Sequence, residues 1–118
     1  MSLKADKEQI LIVDENKYYR ELLRKILQEW DYDVYVCGGV TESFDLLSKE
    51  QVDKIILSYD FDDGKGIGIV KAVLELEPDI LIYANSDSIP ENNELLRYGC
   101  ILSLEKDIDI IERIFKNV

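Results

Sequence analysis

The segment DKIILSYDFDDGKG, residues 53–66, decides the fold of this chain. It begins with a short apolar run at residues 55–57, whose length and β-branched character are typical of a fully buried strand in a parallel sheet. A polar, acidic loop and then a glycine follow. A strand, an acidic loop and a helix in succession predict an open α/β sheet, in which reactive groups gather at the carboxyl ends of the strands. The acidic loop is expected to attract a divalent cation or a cationic side chain.

The rest of the chain repeats this alternation of strand and helix. Strands are predicted at residues 9–13, 32–37, 54–58, 80–84 and 100–104. Segments with apolar residues at the helical period follow each of them. Asn16 and Thr41 are predicted to cap the first two helices, and Pro78 to end the third. Five strands alternating with five helices predict an α/β, doubly wound, flavodoxin-like parallel sheet with the strand order 2-1-3-4-5.

Length and charge restrict the class of protein. A chain of 118 residues predicts one domain over residues 1–118, with residues 1–8 as a flexible N-terminal extension. The net charge of −11 argues against binding to nucleic acid, because phosphates would be repelled. No apolar run approaches the roughly 20 residues of a membrane span, and no signal peptide is recognisable. We therefore expect a cytoplasmic protein that binds neither nucleic acid nor membrane.

The cysteines and the missing histidine restrict the chemistry further. Cys37 and Cys100 have no CxxC spacing, which favours buried, reduced thiols over a disulfide or a metal site. The chain has no histidine. Hydrolases with a histidine base, phosphohistidine carriers and most zinc sites are thereby excluded.

Several residues stand at fixed offsets along the predicted elements. Acidic residues end the first strand, an arginine lies in the helix after it, an aspartate and a glycine flank position 58, and a Pro-Asp and a Gly…Lys pair follow: Asp14, Glu15, Arg20, Asp53, Gly66, Pro78, Asp79, Gly99 and Lys106. This pattern resembles the receiver domain of two-component response regulators over essentially the whole chain. The resemblance implies a receiver-type sheet with the phosphoryl-accepting position at residue 58.

The chain departs from the receiver pattern within that implied site. Position 58 is serine rather than aspartate. Counting back from Lys106 puts Ala84 at the switch Ser/Thr position, with Ser86 as the alternative register. Ser103 stands where an aromatic switch residue is frequent. The Met-Pro after the acceptor and the proline after the lysine are also replaced: Phe61, Asp62 and Asp107. The resemblance is therefore to a pseudo-receiver.

A serine at position 58 cannot accept a phosphoryl group as an aspartate does, because its hydroxyl needs a general base. The resemblance implies a cation site at Asp14, Glu15 and the backbone carbonyl of Asp60. With one carboxylate fewer, we expect Mg²⁺ to bind weakly at most, and no cofactor to be required. Lys106 is expected to pair with Asp14, because an unpaired lysine there would be costly.

Three functions remain open from the sequence. The leading hypothesis is an atypical, non-enzymatic regulator in a phosphorelay, which acts by binding a histidine kinase, an output domain or a second copy of itself. The first alternative is a phosphoaccepting regulator that uses Asp60, from which Gly68 lies eight residues away, although this register loses the Asp53 and Pro78 offsets. The second alternative is a small flavodoxin-like enzyme or cofactor-binding module.

The last helix suggests an interaction face. Its apolar residues cover an arc of roughly 160°, wider than the roughly 100° stripe that packing on a sheet requires. The surplus lies toward Ile110 and Ile114. One interpretation is a deeply seated helix, and the other is that Ile110 is exposed and contacts a partner or a second copy.

Overall fold

A computed structural model describes residues 7–116 as a parallel sheet covered by helices on both faces. The strands are β1 (Gln9–Val13), β2 (Asp33–Cys37), β3 (Lys54–Leu57), β4 (Asp60–Phe61), β5 (Gly64–Lys65), β6 (Leu81–Ala84) and β7 (Leu102–Ser103). The helices are α1 (Lys17–Glu29), α2 (Val40–Lys49), α3 (Gly66–Leu76), α4 (Ile89–Tyr98) and α5 (Ile108–Phe115). Five strands form one sheet in the order β2-β1-β3-β6-β7, all parallel. The predicted fold and strand order are confirmed.

The short strands β4 and β5 were not predicted. They pair with each other in antiparallel register, Asp60 with Lys65 and Phe61 with Gly64. From the sequence, only a polar, acidic loop is predicted between the third strand and the glycine that follows. Phe61 instead buries its side chain in the core, so the acidic loop is a structured hairpin between β3 and α3.

Two apolar clusters fill the two faces of the sheet, because alternate side chains of a strand point to opposite faces. One cluster joins alternate residues of the central strands to α3 and α4, with members that include Leu11, Ile55, Ile82, Ile69 and Leu95. The other joins the intervening strand residues to α1 and α5, with members that include Ile12, Ile56, Tyr83, Leu27 and Phe115. The strands are buried on both sides, which explains their continuous apolar runs.

Helix starts follow the sequence at α1 but not at α2. Asn16 caps α1 as predicted, since its side chain accepts a hydrogen bond from the Tyr19 N–H at 3.0 Å. The predicted cap at Thr41 is wrong. Asp63 of the hairpin binds the start of α2 instead, with its two carboxylate oxygens 2.8 Å from the Val40 nitrogen and 2.9 Å from the Thr41 nitrogen. A local sequence pattern cannot reveal a cap that comes from a residue so far along the chain.

Glu8 also differs from its prediction. Its carbonyl accepts a hydrogen bond from the Asp33 N–H at 3.0 Å, and its carboxylate pairs with Lys54. Glu8 is therefore tied to the sheet and does not belong to a flexible extension, while residues 1–6 of that prediction lie outside the described residues. Both cysteines are buried and free, as predicted. None of the helices within residues 7–116 has the length and apolar character needed to cross a bilayer.

The interaction face expected at Ile110 is not observed. Ile110 and Ile114 are half-buried and pack against the core cluster that contains Phe115. The isoleucine that α5 exposes is Ile108, with 48% of its surface accessible. Of the two interpretations, the structure favours the deeply seated helix, because Ile110 and Ile114 are partly buried against that cluster.

Candidate functional site

A cleft of about 350 Å³ lies at the carboxyl edge of the sheet. The residues that line it follow β1, β3, β6 and β7 or belong to the hairpin and the start of α4: Glu15, Asn16, Ser58, Asp60, Ser86, Asp87, Glu91 and Lys106. The parallel arrangement explains this meeting, because the carboxyl ends of neighbouring strands reach the same edge. The cleft brings together residues that the sequence singles out, among them Glu15, Ser58, Asp60 and Lys106.

Ser58 continues β3 at the base of the cleft. Its N–H donates to the Val13 carbonyl at 2.9 Å, and the residue is only 6% exposed. Within residues 7–116, its hydroxyl makes no hydrogen bond. Gly66 is required beside it, because a Cβ at that position would lie 2.4 Å from the Ser58 carbonyl oxygen. The Ser58 backbone is thus fixed beside β1, and its side chain is buried next to the end of β3.

The predicted ion pair between Asp14 and Lys106 is present. The Lys106 Nζ lies 3.0 Å from Asp14 Oδ2, and the Asp14 side chain is 2% exposed. The Asn16 N–H donates to the other Asp14 oxygen at 2.9 Å. The Lys106 ammonium also lies 4.4 Å from the centre of the Tyr19 ring. The buried carboxylate therefore has its charge balanced and both of its oxygens bound.

Glu15 and Asp60, the other two residues of the implied cation site, have different surroundings. Burial, and then the neighbouring Asp14 charge, raise the pKa of Glu15. Asp60 begins β4 with an exposed carboxylate, which pairs with Lys65 at 2.8 Å. In the part of the chain that the structure describes, no three Asp, Glu, Cys or His side chains gather to hold a metal ion. The weaker site implied by the resemblance, with the Asp14 and Glu15 carboxylates and the Asp60 backbone carbonyl, needs no such cluster and stays a prediction.

The two candidate switch positions have different surroundings. Ala84 pairs with Leu57 across the sheet and is fully buried in the core, so it does not reach the cleft. Ser86 lines the cleft, and its hydroxyl donates to a Glu91 carboxylate oxygen at 2.5 Å. Ser103 lies on β7, and its buried hydroxyl finds no hydrogen-bond partner among the described residues. Of these three residues, only Ser86 lines the cleft.

A model of the family described as the response regulator receiver domain matches residues 10–117. The chain belongs to this family.

Two curated proteins are similar to this receiver domain. Sporulation initiation phosphotransferase F of Bacillus subtilis is 28% identical over 110 residues, which cover 89% of this chain and 86% of that protein. The hydrogenase transcriptional regulatory protein HoxA of Bradyrhizobium diazoefficiens is 36% identical over 70 residues, which cover 59% of this chain but only 14% of that protein.

Solved structures share the fold of this receiver domain. A CheY-like receiver domain protein from Methanospirillum hungatei superposes with a TM-score of 0.82 at 19% identity. The superposition covers 92% of this chain and 91% of the Methanospirillum chain. The response regulator TrrA of Thermotoga maritima, solved with Mg²⁺ and beryllofluoride, superposes with a TM-score of 0.82 at 20% identity. This superposition covers 90% of this chain and 94% of the TrrA chain. At these identities the likeness shows the fold alone.

Two polar residues beside the cleft were not predicted from the sequence. Asn85 is 1% exposed, and its amide donates to the Tyr19 hydroxyl at 2.9 Å while its oxygen accepts from the Lys106 N–H at 2.8 Å. Tyr59 donates a hydrogen bond to the Glu94 carboxylate, which raises the pKa of Tyr59 to about 12. Asn85 therefore connects the end of β6 to Lys106 and to α1. Tyr59 connects the hairpin to α4. A polar residue directly after a buried strand was the available signal for Asn85.

Proposed function

We propose that this receiver domain acts as a pseudo-receiver: it signals by binding protein partners, without aspartyl phosphorylation and without enzymatic activity. The observation that carries the proposal is Ser58, the buried residue that directly follows β3 and lines the cleft. An aspartate in this position would present a carboxylate to the cleft. Serine presents a hydroxyl.

The chemistry of the cleft supports this proposal. A carboxylate attacks a phosphoryl donor directly, whereas a serine hydroxyl must lose its proton to a base. The chain has no histidine to act as that base. Asp14, a buried carboxylate at the same edge of the sheet, is already bound by Lys106 and by the Asn16 N–H. Ser58 therefore lacks the activation that nucleophilic catalysis requires.

The cation chemistry points the same way. Mg²⁺ prefers carboxylate and phosphoryl oxygens in near-octahedral geometry. Asp14 and Glu15 would hold such an ion with the Asp60 carbonyl, but Lys106 already neutralises Asp14, and Ser58 offers a hydroxyl where a third carboxylate would stand. We infer that Mg²⁺ binds weakly and is not required.

Phosphorylation of Asp60 is the second candidate, favoured by the fact that Asp60 lines the same cleft. Its position is unfavourable for this role. Asp60 lies two residues beyond Ser58, in the hairpin rather than at the end of β3, and its exposed carboxylate pairs with Lys65. An acceptor there would first have to break that ion pair and turn toward Asp14.

The partners follow from the family and from the curated relatives. Receiver domains interact with kinases and output domains, and the two relatives are named as a phosphotransferase and a transcriptional regulatory protein. We infer that this domain binds a histidine kinase, another phosphorelay protein or an output domain in the cytoplasm. The net charge of −11 disfavours direct contact with nucleic acid.

Magnesium titration of a Ser58→Asp variant tests the proposal. The added carboxylate restores the missing ligand, so we expect Mg²⁺ affinity in calorimetry to rise by at least about tenfold over the wild type. Ser48→Asp is the matched control, because it adds the same charge on the exposed surface of α2, outside the cleft. Tight Mg²⁺ binding by the wild type, or equal gains in both variants, would contradict the proposal.

A further inference from the structure

A groove far from the cleft offers a second binding surface. It lies between the ends of α2 and α3 and has a volume of about 380 Å³. Its lining is mostly apolar: Phe44, Leu47, Ser48, Ala72, Val73, Leu76, Glu77 and Ile80. Ile80 directly precedes β6, so the groove is near the amino edge of the sheet, whereas Ser58 is at the carboxyl edge. We call it the α2–α3 groove.

The α2–α3 groove exposes large apolar side chains. Leu76 is 75% accessible and Phe44 is 39% accessible. On α2 the lining residues recur at helical spacing, at Phe44, Leu47 and Ser48, so one face of that helix borders the groove. Apolar surface that the fold leaves uncovered in a concave site is typical of a place where another molecule binds.

An acidic extension continues from this apolar groove. A second depression of about 290 Å³ shares Leu47, Glu77 and Ile80 with it. Four carboxylates line the extension: Glu50, Asp53, Glu77 and Asp79. None of these four forms an ion pair within residues 7–116, where the lysines and arginines in ion pairs bind other carboxylates. The surface therefore combines an apolar half with an acidic half whose charge is not neutralised.

We propose that the α2–α3 groove binds a basic amphipathic segment of a partner protein, which places large apolar side chains between the two helices and Lys or Arg side chains on the acidic extension. Charge decides the occupant. A second copy in a two-fold interface would bring the same acidic patch onto itself, and two chains of charge −11 would repel each other. A basic amphipathic segment would bind favourably to both halves of the surface, with its apolar side chains in the groove and its basic side chains on the acidic extension.

The assignment rests on the proposal that this domain acts by binding protein, but not on the chemistry of Ser58. The groove and the cleft share no lining residue. A peptide that binds the groove should therefore bind the wild type and Ser58→Asp equally. Phosphorylation of Asp60 would refute the pseudo-receiver mechanism without altering this test, so the two proposals fail separately.

The experiment uses a fluorescein-labelled helical peptide with Leu and Phe on one face and Lys and Arg at one end. The control peptide keeps the apolar face and replaces the basic residues with Glu. We expect saturable binding of the basic peptide in fluorescence anisotropy, weakened by salt, and none of the acidic peptide. In amide NMR spectra the peptide should shift resonances of α2, α3 and residues 50–53.

Paired variants locate the binding. Leu76→Gln should lower the affinity for the basic peptide by about tenfold, because the apolar contact between Leu76 and the peptide is lost. Leu76 is largely exposed in the free domain, so the substitution should not unfold it. Leu22→Gln on α1, where the leucine is 57% exposed, is the matched control and should leave the affinity unchanged. The double variant Glu77→Gln and Asp79→Asn should weaken binding and reduce its dependence on salt.

Three results would overturn the assignment. The first is the absence of saturable binding by the basic peptide. The second is binding that Leu22→Gln weakens as much as Leu76→Gln does, which would locate the peptide elsewhere. The third is self-association in sedimentation that Leu76→Gln abolishes, which would make a second copy of this chain the occupant.

Discussion

Removal of the Lys106 ammonium should destabilise the domain by leaving a buried charge without its partner. In Lys106→Met the side chain keeps its length and its apolar contacts, but Asp14, at 2% exposure, loses the ion pair at 3.0 Å. Loss of one partner from a fully buried pair costs about 3–5 kcal/mol. The Asn16 N–H still binds Asp14, and water reaches the partly exposed lysine position. We therefore expect about 2–3 kcal/mol, or a fall in Tm of roughly 10 °C.

A double-mutant cycle isolates the ion pair from the packing of the lysine stem. Asp14→Asn keeps an oxygen for the Asn16 N–H but removes the charge. In that background Lys106→Met should cost no more than about 1 kcal/mol, so urea unfolding should give a coupling energy of about 2 kcal/mol. A coupling energy below about 0.5 kcal/mol would show instead that water screens the pair and that the ion pair adds little to stability.

Three further outcomes test the structure. Gly66→Ala should destabilise the domain by at least about 2 kcal/mol in urea unfolding, because its Cβ would meet the Ser58 carbonyl at 2.4 Å, whereas Gly68→Ala in the same helix should stabilise it by roughly 0.5–1 kcal/mol. Backbone N–H groups at the start of α2 lower the pKa of Asp63 from its usual 3.8, so its contribution to stability is present above that value and disappears as the pH falls through the lower, folded-state pKa. Stability curves of Asp63→Asn below about pH 4 should lack this part of the acid dependence. Burial raises the pKa of both cysteine thiols, to about 11 and about 12, so a thiol reagent at neutral pH should label them only after unfolding.

The sheet could be predicted because its signals are local and strong. Each buried strand is a continuous apolar run bounded by polar residues, and right-handed crossovers leave few possible strand orders. The pair between Asp14 and Lys106 could also be predicted, since both residues follow strands that end at the same edge. These inferences needed only the order of the elements and the ends of the strands.

The remaining features depend on how the elements pack in three dimensions, which a local sequence pattern does not show. Counting back from Lys106 indicated Ala84, but the count could not reveal that β6 pairs Ala84 with Leu57 while Ser86 lines the cleft. A helical projection could not reveal how deeply α5 sits, which decides that Ile108 rather than Ile110 is exposed. Long-range partners such as Asp63 at the start of α2 leave no local signal.

Treatment of the wild-type protein with acetyl phosphate or beryllofluoride and Mg²⁺, followed by intact-mass and peptide mass spectrometry, measures whether any of its side chains accepts a phosphoryl group. A receiver domain with an aspartate acceptor serves as the positive control for the phosphodonor. We expect the wild type to stay unmodified under conditions that label the control, because Ser58 offers no carboxylate and the Asp60 carboxylate pairs with Lys65. A phosphoryl adduct on Asp60 that disappears in Asp60→Asn would contradict this expectation.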